Sequence, residues 1–286
     1  MGHLEEIFKE DARKYYEHHP SENAIKLKKN KNTYLKNKLE DTDEKEVEEW
    51  IKVQKEFLIR AKDEKQSMFD EENVVKKKNI KEKFFDKNGY LKGNILDIGG
   101  GWGTYREWWR YNSNNIYIVH DPGIDRFLED PHEPVKKHYS TAFEKPMTFV
   151  EGFGEVMPYK DRTFDTCLIA STIRHCAKPK YVLKEAYRCL DKGGLILIID
   201  KFLESDEKDN SSSNLLFKLF THFKEHGFLN TLSDIKWRLN KDFIGEDKHL
   251  HHFEIKEFKN LMNDANFTEL RTYNQYGTRY VIQGRK

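Results

Sequence analysis

A glycine-rich turn directly after a short apolar run is the feature that most limits what this chain can fold into. Residues 94–98 read Asn-Ile-Leu-Asp-Ile, and glycines follow at positions 99, 100, 101 and 103. An apolar run of this length that ends in glycines predicts a buried strand. Glycine lets the backbone turn sharply and approach a ligand closely, and a helix that follows presents free N–H groups. We expect that helix over 105–111.

Apolar runs of the same kind recur further along the chain. They lie at 116–119, 147–150, 166–170 and 195–199. A helical pattern at 182–190 separates the last two runs. Strands and helices that alternate in this way predict an α/β fold with a parallel sheet, covered by helices on both faces. The chain then ends with a predicted helix at 254–265 and two short strands, 268–273 and 279–283, which form a hairpin.

Two other stretches have a different texture. Residues 1–92 are rich in charge but neutral, with 22 Lys and Arg against 21 Asp and Glu. Apolar residues recur at helical spacing over 47–61, a second helix is expected at 4–16, and turn residues at 86–89 close the segment. Residues 201–252 contain two further apolar-faced helical patterns. We expect residues 1–90 to form a helical extension and residues 91–286 the main domain.

The carboxyl ends of the strands are where ligands bind in open α/β sheets. We therefore expect the helical extension and the 201–252 insertion to form a cap over that edge. The cap should shape the binding pocket. Its aromatic residues are the candidates for the lining: Phe217, Phe220, Phe223 and Trp237.

Composition excludes several classes of protein. The 286 residues carry 50 Lys and Arg against 49 Asp and Glu, so bulk electrostatic binding to nucleic acid is disfavoured. No run approaches the roughly 18 apolar residues of a membrane span. The acidic first residues lack an apolar signal core, and the three cysteines, Cys167, Cys176 and Cys189, lie in apolar segments. They predict buried reduced thiols and a cytoplasmic protein.

The spacing of the glycines separates two classes of cofactor. A dinucleotide site needs G-x-G-x-x-G, and the third glycine position after Gly99 is Thr104. The observed order is acid-x-Gly-x-Gly-x-Gly, from Asp97 through Gly99, Gly101 and Gly103. This order resembles the class I S-adenosylmethionine-dependent methyltransferases.

Four later blocks support the same resemblance. The second strand ends in an acid, Asp121. Residues 152–165 resemble the family's G-x-x-E-x-L-P-F-x-D-x-S-F-D stretch, 170–175 match the end of its fourth strand, and 183–194 resemble its L-x-E-x-x-R-x-L-x-x-G-G helix and turn. The resemblance covers about residues 90–200, and it is strongest to the branch that modifies small molecules, which includes quinone C-methyltransferases. It implies a Rossmann-like seven-stranded sheet of order 3-2-1-4-5-7-6 with strand 7 antiparallel.

The resemblance also implies a set of residues that hold S-adenosylmethionine. In the family's pattern the glycine loop packs against the methionine and ribose portion, the acid after strand 2 binds the ribose hydroxyls, and the next block lines the adenine. The cofactor contacts implied here are Asp97, Gly99, Gly100, Gly101, Trp102, Asp121, Pro122, Phe153, Gly154, Glu155 and Ser171. Phe153 departs from the pattern, because many relatives have Asp there. The alternative role for Trp102 is packing, and the alternative for Glu155 is an ordinary solvated position on a helix.

The acceptor side is less defined. His175 and His251 are candidate general bases, because an imidazole with a pKa near 6.5 can take a proton from a hydroxyl. His175 could equally bond a backbone carbonyl at the end of a strand. Arg174 is a candidate clamp for an acidic substrate group, with a surface ion pair as the alternative. His249 and His252 are candidate substrate contacts. No Cys or second His pair lies at zinc spacing near them, so no metal site is predicted.

The function we expect is methyl transfer from S-adenosylmethionine to a small molecule or glycan, with release of S-adenosylhomocysteine. Transfer to oxygen is weakly favoured because of the histidines. Similar histidine-rich segments in sugar-modifying relatives suggest the glycan. The alternatives are an RNA or protein methyltransferase, which the balanced charge disfavours, and a non-catalytic cofactor-binding scaffold.

Overall fold

The computed structural model describes residues 6–28, 70–203, 251–276 and 279–286. Within these ranges nine strands form one sheet in the order β1-β2-β5-β4-β3-β6-β7-β9-β8. The strands are β1 Tyr16–His19, β2 Ala24–Leu27, β3 Ile95–Ile98, β4 Tyr117–Asp121, β5 Thr148–Glu151, β6 Phe164–Ala170, β7 Leu190–Lys201, β8 Thr268–Tyr276 and β9 Arg279–Arg285.

The same ranges contain seven α-helices and three short 3₁₀ helices. The α-helices are α1 Glu10–Arg13, α2 Glu71–Asn88, α3 Ile124–Phe127, α4 Glu133–His138, α5 Ser140–Glu144, α6 Pro179–Cys189 and α7 Ile255–Asp264. The 3₁₀ helices are Pro20–Glu22, Thr104–Trp108 and Ile173–His175. In the described part of the chain, no helix is both long and apolar enough to cross a membrane.

The central strands pair in parallel. β3 pairs in parallel with β4 on one side and β6 on the other, and the parallel pairing continues to β5 and β7. β9 is antiparallel to β7, and β8 is antiparallel to β9. If β3 is counted as strand 1, these seven strands lie in the order 3-2-1-4-5-7-6, and strand 7, which is β9, is the antiparallel one. This is the order that the resemblance implied. The Rossmann-like α/β prediction is confirmed.

A β-hairpin near the N-terminus extends the sheet from seven strands to nine. β1 and β2 pair antiparallel, and β2 pairs in parallel with β5 through Ala24 and Ile25. The backbone N–H of Leu27 donates to the Glu151 carboxylate at 3.0 Å. The turn contains Asn23 in a left-handed conformation, with φ of +49°. The expectation of an all-helical extension is therefore wrong for residues 16–27.

Other local predictions also change. Within the described part of the helix predicted at 4–16, residues 6–7 and α1 are helical, but Phe8 forms a β-bridge with Tyr159 between them and Tyr16 begins β1. The helix predicted at 105–111 is the 3₁₀ helix Thr104–Trp108. The turn predicted at 86–89 is moved, because α2 continues to Asn88 and ends at Gly89. Asp70 begins α2 by accepting a hydrogen bond from the Asn73 N–H at 2.8 Å.

Several predictions fall outside the described residues. They are the helix at 47–61, the two helices within 201–252, and the lining candidates Phe217, Phe220, Phe223 and Trp237. The division into an extension and a main domain stays a prediction.

The hydrophobic core covers both faces of the sheet. Alternate residues of β3 face opposite sides, because successive side chains of a strand point in opposite directions. Leu96 and Ile98 pack with α6 and α7, while Ile95 packs with α2 and the aromatic residues after the glycine loop. The three cysteines are buried free thiols, as predicted. Polar side chains, among them Asp97 and Asp121, lie at the carboxyl edge of the sheet.

Candidate functional site

Two acidic side chains lie at the carboxyl ends of adjacent strands. Asp97 is in β3, opposite Val119 of β4 in the parallel register, and Asp121 ends β4. Both are buried, with 0% and 7% of their surface exposed. A charged carboxylate is almost never buried without a partner, so two such groups at one edge indicate a binding site.

The glycine loop connects these acids, and its own packing explains its glycines. Gly99, Gly101 and Gly103 have φ of +67°, +55° and +63°, a region that side chains disfavour. A Cβ on Gly99 would lie 2.3 Å from the Thr172 side chain. A Cβ on Gly100 would lie 2.4 Å from the Asp97 carboxyl. The atoms nearest to an added Cβ at Gly99 and Gly100 therefore belong to the protein, whereas the sequence analysis gave close approach of a ligand as the reason for glycine.

Asp121 holds the second loop in place and keeps acceptor capacity. One oxygen accepts from the Gly123 N–H at 2.8 Å, across Pro122, and the other from the Gly101 N–H at 3.4 Å. Burial raises the pKa of this carboxyl, and the two amides lower it. A carboxylate offers about four lone-pair sites, so two remain for a ligand that donates hydrogen bonds.

Asp97 is more deeply buried and incompletely satisfied. Its Oδ2 accepts from the Tyr117 hydroxyl at 2.6 Å. Its Oδ1 is buried and has no hydrogen-bond partner among the described residues. Burial raises the pKa of Asp97 to about 7. A donor group placed against Oδ1 would satisfy it and favour the charged carboxylate.

The block after β5 divides between binding and structure. The Phe153 carbonyl accepts a hydrogen bond from His120 at 3.2 Å. A Cβ on Gly154 would lie 3.0 Å from Ile98. Glu155 is buried, so it is not an ordinary solvated residue, and it accepts from the Lys178 N–H at 3.3 Å just before α6. Burial raises its pKa to about 7. Glu155 thus joins two loops of the protein.

Trp102 is placed by packing. Its indole N–H donates to the Glu129 carbonyl at 3.3 Å. Its ring meets the Phe127 ring edge-on at 5.5 Å between centroids, and Phe127 is also the side chain next to Gly101. Trp102 therefore packs against Phe127, the side chain that lies next to Gly101 in the glycine loop.

The end of β6 contacts the glycine loop from the other side. Ser171 follows β6 with φ of +57°. Its hydroxyl accepts two hydrogen bonds from the guanidinium of Arg279, at 3.0 and 2.9 Å. The Thr172 hydroxyl lies within donating distance of two carbonyls, that of Ala170 at 3.1 Å and that of Gly99 at 3.3 Å. Arg279 is a site residue that the sequence does not single out, because it lies far away along the chain.

Arg174 is buried, and its charge is paired within the protein. Its Nε donates to Asp200 at 2.6 Å, and the pair is buried, with side chains 4% and 0% exposed. The ion-pair alternative is the one observed, in the interior and not at the surface. Within the described residues, Nη1 of Arg174 and Oδ2 of Asp200 have no hydrogen-bond partner.

The structure brings two of the predicted histidines together at the turn after β6. His175 ends the 3₁₀ helix Ile173–His175 and is half-buried. The backbone N–H of His251 donates to the Arg174 carbonyl at 3.2 Å, and its ring Nε2 lies 3.3 Å from the Ala177 carbonyl. His252 is next to it and half-buried, and His249 lies outside the described residues. These histidine roles stay predictions.

Lys81 is a second residue that the sequence leaves unmarked. It lies on α2, and its ammonium is 4.2 Å from the centroid of the Tyr105 ring and 5.2 Å from that of Tyr139. Burial, followed by the charges of Arg279 and Lys77, lowers its pKa to about 7. The signal that could have found it is helical spacing, because Val74, Lys81 and Phe85 fall on one stripe.

Comparison with known proteins places this site. Residues 96–198 match the family model described as "Methyltransferase domain". The ubiquinone/menaquinone biosynthesis C-methyltransferase of Agrobacterium fabrum is 42% identical over 116 residues, 39% of this chain and 42% of that protein. The protein of the same name from Ruegeria is 28% identical over 129 residues, 44% and 48% of the two chains. This chain spans about half the length, or less, of these curated relatives.

A solved structure extends the fold comparison. A SAM-dependent methyltransferase of Thermotoga maritima, described as a possible histamine N-methyltransferase, aligns with a TM-score of 0.50 and 20% sequence identity. The alignment covers 81% of this chain and 98% of the other. At this level of identity the likeness concerns the fold.

Proposed function

Residues 96–198 form a class I S-adenosylmethionine-dependent methyltransferase domain, and from this premise we propose that the chain transfers the cofactor's methyl group to a small-molecule acceptor. The observation that carries the proposal is the pair of buried carboxylates at the ends of β3 and β4, one of which has an oxygen without a hydrogen-bond partner among the described residues. These two acids flank a glycine loop whose left-handed backbone is set by the packing around it.

The residues fit the cofactor chemically. Oδ1 of Asp97 suits the ammonium group of the methionine portion, since a buried acceptor without a partner favours a cationic donor. Asp121 suits the two ribose hydroxyls, because two of its lone-pair sites remain. Phe153 and Gly154 follow β5 at the same edge and would lie along the adenine. The bound cofactor supplies a sulfonium that activates the methyl group, and the protein aligns the acceptor and excludes water.

We further propose oxygen as the methylated atom and a small hydroxylated molecule or glycan as the acceptor. Support comes from His175 and His251, which flank one turn at the carboxyl end of β6. If Nε2 of His251 donates to the Ala177 carbonyl, Nδ1 is the unprotonated nitrogen of the neutral ring. Carbon is the competing atom, because the curated relatives are named as quinone C-methyltransferases.

Calorimetry with S-adenosylmethionine and S-adenosylhomocysteine tests the cofactor site. We expect micromolar binding, weakened at least tenfold in Asp121→Ala, which is about 1.4 kcal/mol. Asp130→Ala is the matched control, since this acid is 90% exposed and lies in the loop after α3. If neither compound gives a heat of binding, the proposal is excluded.

A panel of acceptors tests the chemistry. Phenols, sugars and quinols would be incubated with cofactor carrying a ¹³C-methyl group, and NMR would identify the atom that receives it. A methyl carbon attached to oxygen is the expected product. A methyl carbon attached to a ring carbon would support the C-methyl alternative, and loss of transfer without loss of cofactor binding in His175→Ala would support a base.

A further inference from the structure

Three cationic side chains converge at the carboxyl edge, beside the proposed cofactor site. Lys77 and Lys81 are one helical turn apart on α2, so they lie on the same side of that helix. Arg279 begins β9, which runs antiparallel to β7 and therefore starts at this edge. The charge of Arg279 lowers the pKa of both lysines, after the larger effect of their burial. The three groups are therefore close enough to repel one another.

The contacts of this cluster are unusual for half-buried cations. Lys81 lies against the rings of Tyr105, Tyr139 and Trp108, with the Tyr139 hydroxyl at 3.5 Å. Arg279 is bonded to the Ser171 hydroxyl. In the described residues neither side chain forms an ion pair with a carboxylate, whereas Lys78 on the same helix is paired with Glu107 at 3.1 Å and Arg174 with Asp200.

Like charges gathered in a partly buried place destabilise the protein unless an anion neutralises them. Asp97 is the acid that acts on Lys81, and its effect is smaller than those of burial, Arg279 and Lys77. Asp97 is also the group that the cofactor's ammonium would engage. Lys81 and Arg279 therefore carry more positive charge than Asp97 balances, beside the residues that follow the glycine loop and β6.

The position of Arg279 indicates which ligand carries the anion. Asp97 and Asp121 lie on β3 and β4, whereas β9 is three strands from β3 on the opposite side, about 14 Å at ~4.8 Å per strand. The guanidinium reaches back to Ser171 at the end of β6, between these two regions. The Arg279 end of the cluster thus extends away from the acids that fit the cofactor, whereas Lys81 is near enough to Asp97 for their charges to interact.

We propose that Lys77, Lys81 and Arg279 form an anion-binding subsite that takes a carboxylate or phosphate group of the methyl acceptor. This inference rests on the proposed methyltransferase function and adds the substrate class: an acidic molecule, in contrast to the neutral ring of a quinol. The aromatic rings around Lys81 provide apolar walls on one side, so a carboxylate attached to a flat ring suits the subsite.

The test measures binding of benzoate and inorganic phosphate by calorimetry at low salt, with the protein saturated with S-adenosylhomocysteine. Benzamide is the neutral control for benzoate. We expect at least one anion to bind, benzamide to bind at least tenfold more weakly than benzoate, and both Lys81→Gln and Arg279→Gln to reduce anion affinity at least tenfold. Lys83→Gln, an exposed position on α2, should leave it within twofold.

Other results would overturn the inference. Wild-type protein that binds neither anion, or variants that bind them as well as wild type, would exclude the subsite. A tenfold loss of S-adenosylhomocysteine affinity in Lys81→Gln or Arg279→Gln would assign the cluster to the cofactor's own carboxylate. Arg279→Lys separates charge from structure, since it keeps the cation but loses the paired bonds to Ser171. It should retain most of the anion affinity that Arg279→Gln loses.

Failure of the methyltransferase proposal gives a different result. If wild type shows no heat with S-adenosylhomocysteine, the cofactor site fails, and the anion titrations on the protein without it still measure the cluster. Anion binding that disappears in the two variants would then show an anion site in a protein that is not a methyltransferase, and the assignment to a methyl acceptor would fall.

Discussion

Replacement of Gly99 by Ala tests whether the glycine loop is determined by contact with Thr172. The new Cβ would lie 2.3 Å from both Cγ2 and Oγ1 of Thr172, and 2.8 Å from its Cβ. Real Cβ atoms do not approach that closely, so the loop or the Thr172 turn must move. The backbone at Gly99 also has φ of +67°, which alanine disfavours by about 1–2 kcal/mol.

The two contributions can be separated with a control in the same chain. Gly193 has φ of +72°, close to that of Gly99, but a Cβ there would meet nothing within 4 Å. Gly193→Ala should therefore lose only the backbone part. Gly99→Ala should lose the same part plus about 1–3 kcal/mol for the overpacked contact, a total of about 2–5 kcal/mol.

Urea unfolding followed by circular dichroism measures these values, and a double-mutant cycle isolates the contact. In a Thr172→Ala background, two of the three close atoms are gone, so the loss from Gly99→Ala should decrease by at least 1 kcal/mol. Gly99→Ala and Gly193→Ala that destabilise equally, or a cycle that is additive within about 0.5 kcal/mol, would refute the contact as the reason for glycine.

Three further predictions concern buried polar groups. Asp200→Asn should destabilise by about 3–5 kcal/mol in urea unfolding, because it leaves Arg174 buried without its counter-charge; Arg174→Met with Asp200→Leu should lose less. Burial raises the pKa of Glu155 to about 7, so the folded protein loses stability as the pH rises from 4.5, the usual pKa of this carboxyl, toward 7. The free energy of unfolding of Glu155→Gln should therefore rise by up to roughly 3 kcal/mol relative to that of wild type between pH 5 and 8. Burial lowers the pKa of His120 to about 4, so the folded protein loses stability as the pH falls from 6.5, the usual pKa of this ring, toward 4. The free energy of unfolding of His120→Gln should therefore fall less over this pH range than that of wild type.

The central sheet is predictable from sequence because its signal is local. Each parallel strand is an apolar run buried on both faces, and glycines or an acid mark its carboxyl end. The predicted runs therefore fall on β3 to β7, with ends that differ by a few residues. The run at 116–119 stops before His120 and Asp121, which β4 includes, since polar residues do not extend an apolar pattern.

The N-terminal hairpin was not predictable in the same way. β1 reads Tyr-Glu-His-His and β2 reads Ala-Ile-Lys-Leu, so neither strand has a strong pattern of its own. Their stability comes from pairing with β5 and from the bond between Leu27 and Glu151, which are distant in sequence. Short strands of this kind form because a sheet edge is already present.

The same reason explains which site residues were missed. Asp97, Asp121 and the glycines belong to one continuous motif, so their spacing identifies them. Lys81 and Arg279 join the site only through the fold, which brings α2 and the start of β9 to one edge. Arg174 is a different case, because the sequence left a ligand contact and an ion pair open, and its buried partner Asp200 lies on another strand.

The described residues on either side of positions 204–250 lie next to each other. The N–H of Leu203 donates to the Phe253 carbonyl at 2.9 Å, and the N–H of Ile255 donates to the Leu203 carbonyl at 3.1 Å. Leu203 and Phe253 are therefore neighbours, next to the turn where the His251 N–H donates to the Arg174 carbonyl. Because the two ends are already together, each doubling of the intervening length adds only about 0.6 kcal/mol of loop-closure entropy. We therefore expect changes of length between residues 203 and 253 to leave the sheet undisturbed.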